Sequence, residues 1–353
     1  MIELNKEKPE EFVDHVLREA VDRGASDVYW LPAAAQVDIR FRIDGKQESV
    51  AEVPREYGEI CITRIKVLAG LLTYRTKVSQ DGVIRNIGGG SYSEMRVSVM
   101  PTSHGERISV RILQNKKGPK LLDELGFDAE VLNLLRTMLD KPTGMIVLTG
   151  PTGSGKTTTI YAMLAELLKK HQDPASIITI EDPIECEING ISQTLVSKDA
   201  GWDYASALRS ALRQDVKTIV VGEMRDKEVV KVTLDAALTG HRVITTYHAG
   251  DIPSVYARML HQGFEPFLIS SAITGVVTQR LVSRADGKGR VPVISALAPS
   301  DRWRDFITSN PNLSDLRKKI KDFPLADLSQ VAEKMVDAKL ISREQQKLLS
   351  LDD

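Results

Sequence analysis

The sequence predicts an α/β protein of about two domains, the second built on a parallel sheet with helices on both faces. Three observations carry that expectation. The length, 353 residues, exceeds one ordinary domain. Between Met145 and Thr246, short apolar runs alternate with amphipathic runs of helical spacing, the rhythm of strands joined by crossover helices. The first apolar run leads into Gly150-Pro-Thr-Gly-Ser-Gly-Lys156-Thr157, and a helical pattern follows that segment directly.

Composition sets the outer limits. With 42% hydrophobic and 27% charged residues, the chain has the balance of a globular protein. No apolar run approaches the roughly 18 residues needed to span a bilayer. Met-Ile-Glu-Leu-Asn-Lys at the start lacks the basic-then-apolar order of a secretory signal, so a cytosolic location is expected. Formal net charge is -1, from 47 basic and 48 acidic residues, and aromatic residues make up 5%. That balance argues against a nucleic-acid partner. Cys61 and Cys186 lie far apart and match no metal-ligand spacing, so neither a disulfide framework nor a zinc site is expected.

Taken in order, Pro9 to Arg23 places Phe12, Val13, Val16, Leu17, Ala20 and Val21 at helical spacing, and Gly24 stops the helix. Ser26 to Leu31 and Val37 to Ile43 read as strands. In the second, Val37, Ile39, Phe41 and Ile43 alternate with Asp38, Arg40, Arg42 and Asp44, giving one buried and one charged face. Pro54 to Leu72 reads as a helix carrying Ile60, Ile62, Ile65, Val67 and Leu68. Tyr92 to Val99 and Arg107 to Leu113 read as a strand pair around the turn Pro101 to Gly105.

Gln114 to Pro119 is polar and broken by Gly-Pro, the composition of a connection between domains. Asp128 is placed to cap a helix bearing Val131, Leu132, Leu135, Met138 and Leu139, which Pro142 ends. Strands then alternate with helices: Met145 to Thr149, Thr158 to Lys170, Ser176 to Ile180, Ala205 to Arg213, Thr218 to Val221, Val229 to Leu238, Val243 to Thr246. Beyond Ser283 the chain is more polar, and Ser329 to Leu349 is helical, with Ser342-Arg-Glu-Gln345 as a capping box. The expected division is an N-terminal α/β domain over 1–113, a linker over 114–122, a core over 123–285 and a mostly helical C-terminal subdomain over 286–353.

The glycine-rich segment has the strand before it and the helix after it that a phosphate-binding loop requires. Its backbone amides and the helix N-terminus favour an anion. Gly150, Pro151, Thr152, Gly153, Ser154, Gly155, Lys156, Thr157 and Thr158 are the expected binding set, with Lys156 for the β and γ phosphates and Thr157 for Mg²⁺. The helix from Thr158 to Lys170 needs no further role than packing. Thr218-Ile-Val-Val-Gly-Glu223 delivers a carboxylate at a strand's carboxyl end, where an attacking water is oriented. Asp usually closes such a strand, but Gly222 occupies that place here.

Ile178-Thr-Ile-Glu181-Asp182-Pro-Ile-Glu185 ends a second strand in three carboxylates. So much negative charge calls for Mg²⁺ or an adjacent arginine. A third strand has His241 and His248 on either side, seven residues apart. His248, at the carboxyl end, is the better phosphate sensor; spacing alone makes His241 structural. Arginines complete the inventory: Arg96, Arg107 and Arg111 on the first domain's strands, Arg209 and Arg213 one helical turn apart.

These features, in this order, resemble the secretion ATPase superfamily, specifically its type II secretion and type IV pilus assembly ATPases. The resemblance rests on Ala25-Ser-Asp27, Arg42-Ile-Asp-Gly45, Gln80-Asp-Gly82, Arg96 to Pro101, Gly105-Glu106, Arg111-Ile-Leu113, the phosphate loop, Thr179 to Glu185, Leu212 to Asp215, Gly222 to Asp226, Thr239-Gly-His241, His248 and Gln279-Arg-Leu281. It implies an N-terminal α/β, PAS-like domain joined flexibly to a RecA-like ATPase domain, with ATP between them. It also implies a cytosolic homohexamer peripheral to the inner membrane, acting on a platform protein and using ATP and Mg²⁺. Family roles fall on Glu223 for catalysis, the Glu181, Asp182 and Glu185 box for metal and water, His241 and His248 as a histidine box, and Arg96, Arg111, Arg209 and Arg213 for phosphate. Thr157, Glu181 and Glu223 are the implied Mg²⁺ set.

Two isolated cysteines cannot form the four-cysteine metal insert that many such members carry after the core. The long N-terminal tethering domain is not seen either, Tyr29 stands where a histidine commonly follows Ser-Asp, and Thr246-Tyr-His-Ala differs from the common Thr-Leu-His-Thr. A retraction ATPase is the nearest alternative, although Arg-Ile-Asp-Gly and Gln-Asp-Gly favour the assembly branch. A RecA-like nucleic-acid translocase and a non-hydrolysing nucleotide-binding regulator are alternatives from other classes.

Overall fold

The computed structural model describes residues 8–43, 45–84, 94–113, 118–171, 173–197, 201–287 and 289–351. Asp44, Tyr92 and Gln114 to Lys117, which entered the strand and linker expectations, lie outside them. The chain divides into two units, Met1–Gly118 and Pro119–Asp353.

The first unit runs α1 (Pro9–Asp22), β1 (Asp27–Pro32), β2 (Gln36–Ile43), β3 (Lys46–Pro54), α2 (Arg55–Leu68), β4 (Gln80–Ile84), β5 (Glu94–Thr102) and β6 (Gly105–Leu113). Its antiparallel sheet has the order β3-β2-β1-β6-β5-β4. The alternation of β2 works as expected: Val37, Ile39 and Phe41 join Val28 and Trp30 in a core with Phe12, Leu17, Ile62 and Ile65 of the two helices. Helix α2 ends at Leu68, earlier than its composition implied, because Gly70 takes a left-handed turn (φ 70°). Ile60 and Val67 stay exposed on it.

The other face of this sheet carries a charged row. Register pairs Asp27 with Arg42 on one side and Arg111 on the other, and Arg111 with Arg96. Asp27 is buried, accepts from Arg111 Nε at 3.0 Å and faces Arg42 Nε at 3.6 Å. Arg42 also donates to Tyr29 Oη at 2.9 Å, which gives the Tyr29 hydroxyl a partner beside this row.

The second unit contains α3 (Ala129–Asp140), β7 (Gly144–Thr149), α4 (Lys156–His171), β8 (Ile177–Glu181), β9 (Ser192–Leu195), α5 (Tyr204–Ala211), β10 (Thr218–Met224), α6 (Lys227–Leu238), β11 (Arg242–Tyr247), α7 (Ile252–His261), α8 (Pro266–Ala272), β12 (Ile273–Ser283), β13 (Arg290–Leu297), α9 (Asp301–Thr308), α10 (Leu313–Lys319), α11 (Leu328–Asp337) and α12 (Arg343–Leu351). The sheet order is β13-β12-β7-β11-β10-β8-β9.

Strands β12 through β9 pair in parallel, while β13 runs antiparallel to β12. The sheet is therefore mixed where a purely parallel one was expected. The expected core boundary at 285 falls inside this hairpin, since Arg290–Leu297 is a strand of the same sheet.

Burial explains the parallel arrangement. Every residue of β7 and β11 is buried, which only a sheet covered on both faces allows. Val147, Ile219 and Val243 pack with α5 to α8, whereas Ile146, Val220 and Ile244 pack with α3 and α4. Aspartates at the strand-to-helix junctions fix where helices begin: Asp203, Asp226 and Asp251 accept from Ser206, Val229 and Ser254 amides at 2.8, 2.9 and 2.7 Å. Asp128 caps α3 as expected. Ser342 and Gln345 form the expected capping box, at 2.7 and 3.2 Å.

Candidate active site

Three neighbouring strands bring the site together at the carboxyl edge of the second sheet, where ligands bind in such folds. Threonine side chains tie those strand ends. Thr149 of β7 donates to Ala249 O at 2.5 Å and accepts from Ala249 N at 3.1 Å. Thr246 of β11 donates to Gly222 O of β10 at 2.6 Å. The loop after β7, the segment after β11 and the end of β10 thus hold a fixed alignment.

The phosphate loop needs its glycines for contact as well as conformation. Gly150 has φ 139°, and a Cβ there would lie 2.2 Å from the backbone oxygen of Gln279 on β12. Helix α4 starts at Lys156 and turns its positive end to the loop. Lys156 Nζ donates to Gly150 O and Pro151 O at 2.8 and 2.9 Å, which leaves the third ammonium hydrogen for a ligand. Burial, then Arg280, lowers its pKa, while Glu223 and Glu185 act in the opposite sense.

Glu223 closes β10. Its carboxylate is paired with Arg225 and lies 3.1 Å from His248 Nε2. Burial alone would raise the Glu223 pKa, but Arg225 and His248 outweigh it and hold the group below the usual carboxylate value. It is therefore ionised at neutral pH. Gly222 replaces the usual Asp for a steric reason: a Cβ there would come within 2.9 Å of Tyr204 Oη and 3.1 Å of Ile180 O. Arg258 of α7 donates to His248 O at 2.5 Å and so fixes the backbone of the histidine.

The acidic box divides. Glu185 is exposed, and Thr157 Oγ1 donates to its Oε1 at 3.3 Å. Asp182 is exposed. Glu181 is buried and accepts from Tyr161 Oη (2.5 Å), Thr179 Oγ1 (2.5 Å) and Gln193 Nε2 (3.1 Å). The expectation that this charge needs a cation is corrected for Glu181: three neutral donors satisfy a buried carboxylate without one. Its two oxygens already accept three hydrogen bonds within the fold, which leaves Glu181 the least open carboxylate of the expected Mg²⁺ set.

Thr157 and Glu185 do fit: both offer hard oxygen, and Mg²⁺ takes one or two protein ligands beside phosphate and water. Among the described residues, no cluster of three or more His, Cys, Asp and Glu could hold a metal by itself.

Other expected residues are placed elsewhere. His241 precedes β11 at its amino end, its Nδ1 3.2 Å from Ala236 O. Strand β11 separates it from His248 by about 20 Å, so within this chain the two histidines expected to form one box do not meet, and His241 sits where spacing alone had placed it. Arg209 pairs with Glu228 at 2.6 Å, and Arg213 binds Arg209 O and Ser210 Oγ; their partners lie on α5 and α6 and not in the loop. Arg96 and Arg111 belong to the first unit's row. Sequence reasoning passed over Tyr161, Gln193 and Arg258, and it quoted Arg225 and Arg280 within motifs without giving either a role. Arg280 is buried, donates to Gly250 O at 2.7 Å and lines, with Gly150, Pro151, His248 and Arg258, a cavity of about 1100 Å³.

A glycine-rich loop between strand and helix, facing a strand-borne carboxylate, defines the phosphate-loop nucleotide-binding class on a RecA-like fold. The chain belongs to the type II/IV secretion system protein family, whose model matches residues 3–345. The type IV pilus assembly ATPase PilB of Myxococcus xanthus is 39% identical over 303 residues, 83% of this chain and 53% of that protein. The type II secretion system ATPase E of Vibrio cholerae is 41% identical over 270 residues, 76% of this chain and 53% of that protein. The chain thus spans about half the length of these relatives.

Among solved structures, the Legionella pneumophila ATPase DotB matches with TM-score 0.81 at 21% identity, covering 100% of this chain and 98% of that one, a likeness of fold. The pilus retraction motor PilT with bound ADP matches with TM-score 0.73 at 27% identity, covering 95% and 96%. Among the described residues no helix is long and apolar enough to cross a membrane.

Proposed function

We propose that this chain is an Mg²⁺-dependent ATP hydrolase that works as a homohexamer, peripheral to the inner membrane on its cytosolic side, and drives a platform protein in pilus assembly or protein secretion. The observation that carries the chemistry is the Glu223 carboxylate, ionised and held against His248 across the strand ends from the phosphate loop. Lys156 and the α4 N-terminus hold the phosphates. Thr157 and Glu185 would hold Mg²⁺, which when bound neutralises charge on the β and γ phosphates. Glu223 orients the attacking water and accepts its proton. His248 donates toward the γ phosphate. Arg96 and Arg111 are the first unit's candidates for cationic help in turnover.

The 39% identity to an assembly ATPase and 41% to a secretion ATPase support the assembly branch, with pilus retraction as the alternative. Phosphate release from ATP by the purified chain is the test. Release that requires Mg²⁺, stops with a chelator and ignores added DNA is expected. ATP binding without release would favour a non-hydrolysing regulator, and stimulation by DNA would favour a translocase.

A further inference from the structure

Helix α4 faces the acidic box through a tyrosine as well as its aliphatic residues. Tyr161 lies four residues after Thr157, so both project from one face of the helix. Its buried hydroxyl donates to Glu181 Oε2 at 2.5 Å and accepts the Glu185 amide at 3.1 Å. Burial, then Glu181, pushes the phenol's pKa upward, so it keeps its proton and remains a donor.

Gln193, from edge strand β9, completes the arrangement. Its Nε2 donates to Glu181 Oε1 and Cys186 O, both at 3.1 Å, and its Oε1 accepts the Ile188 amide at 2.7 Å. Between β8 and β9 the loop has no strand or helix to hold it. Two side chains, both anchored on the buried Glu181, grip its backbone at 185, 186 and 188. Glu185 is the loop residue that meets Thr157.

We propose that Tyr161 and Gln193 are positioning residues that hold the acidic loop so Glu185 stays opposite Thr157, and thereby set the site's affinity for magnesium-bound nucleotide. The inference rests on Thr157 and Glu185 as the Mg²⁺-facing pair. The helix that presents the hydroxyl thus also places the carboxylate facing it. Partners one step removed from a metal commonly change its affinity about 10- to 100-fold when lost.

Tyr161→Phe keeps the ring and its packing while removing both hydrogen bonds. Equilibrium binding of a fluorescent ATP analogue is measured with Mg²⁺ and with a chelator, alongside the Mg²⁺ concentration for half-maximal turnover. In the variant, affinity with chelator is unchanged, the gain from Mg²⁺ falls about tenfold, and half-maximal Mg²⁺ rises about tenfold. Gln193→Met gives the same pattern and serves where Tyr161→Phe is poorly folded. Equal loss with and without Mg²⁺ marks a merely structural brace and overturns the proposal, as does an unchanged Mg²⁺ dependence. A parent chain whose binding and turnover ignore Mg²⁺ overturns the functional reading itself; a Mg²⁺-dependent parent with unaffected variants overturns this inference alone.

Discussion

Glu223→Gln leaves ATP binding intact and lowers phosphate release at least about 100-fold, the usual span for a lost general base. The amide has the size of the carboxylate and keeps one oxygen toward His248, so the strand end and its threonine ties are undisturbed. What it loses is the negative charge that Arg225 and His248 keep ionised, and with it the ability to take a proton from water. Steady-state phosphate release beside equilibrium ATP binding separates the two effects. Undiminished release contradicts the role given to Glu223, and lost binding shows that the carboxylate builds the loop instead.

Trp303→Ala destabilises the second unit by about 3–5 kcal/mol, the typical cost of emptying a buried aromatic site. Trp303 is fully buried and meets Tyr256, Phe306 and Phe323 with ring centroids at 5.4, 6.0 and 5.5 Å. It is the packing centre through which α9 holds α7, the helix carrying Arg258. At about 2–4 °C per kcal/mol for a unit of this size, its melting temperature falls on the order of 10 °C. Thermal unfolding followed by tryptophan-independent circular dichroism reads this. A fall below about 2 °C would mean that the aromatic cluster carries little of the unit's stability.

Much of the second unit was legible because its strands are apolar throughout and its helices are periodic; Asp128 and the Ser342 to Gln345 box even marked helix starts. Edge strands were not. In β3, burial is confined to Val50, Ala51 and Val53 after four exposed residues, so no alternation shows. β9 is four residues long with none buried, yet it supplies Gln193.

At the site, local motifs exposed the phosphate loop, Glu223 and His248, since each lies at or just past the end of an apolar strand. Which carboxylate of the acidic box turns inward was hidden, because it depends on Tyr161 and Gln193, residues from other elements. Spacing alone already put His248 at the carboxyl end of β11 and His241 at its amino end; the resemblance joined them in one box, and the length of β11 keeps them apart. Tyr161 carries no signal of its own in the sequence, because its hydroxyl finds partners only in the folded arrangement.

The central claim is that Thr157 and Glu185 take the metal while Glu223 faces the attacking water. It is tested most directly by a crystal structure of the chain with Mg²⁺ and a non-hydrolysable ATP analogue. The account predicts Thr157 Oγ1 as a metal ligand with Glu185 beside it, Glu181 still bonded to Tyr161 and Gln193, and Glu223 hydrogen-bonded to a water at the γ phosphate. Mg²⁺ ligated by Glu181, or Glu223 turned away from the γ phosphate, would contradict it.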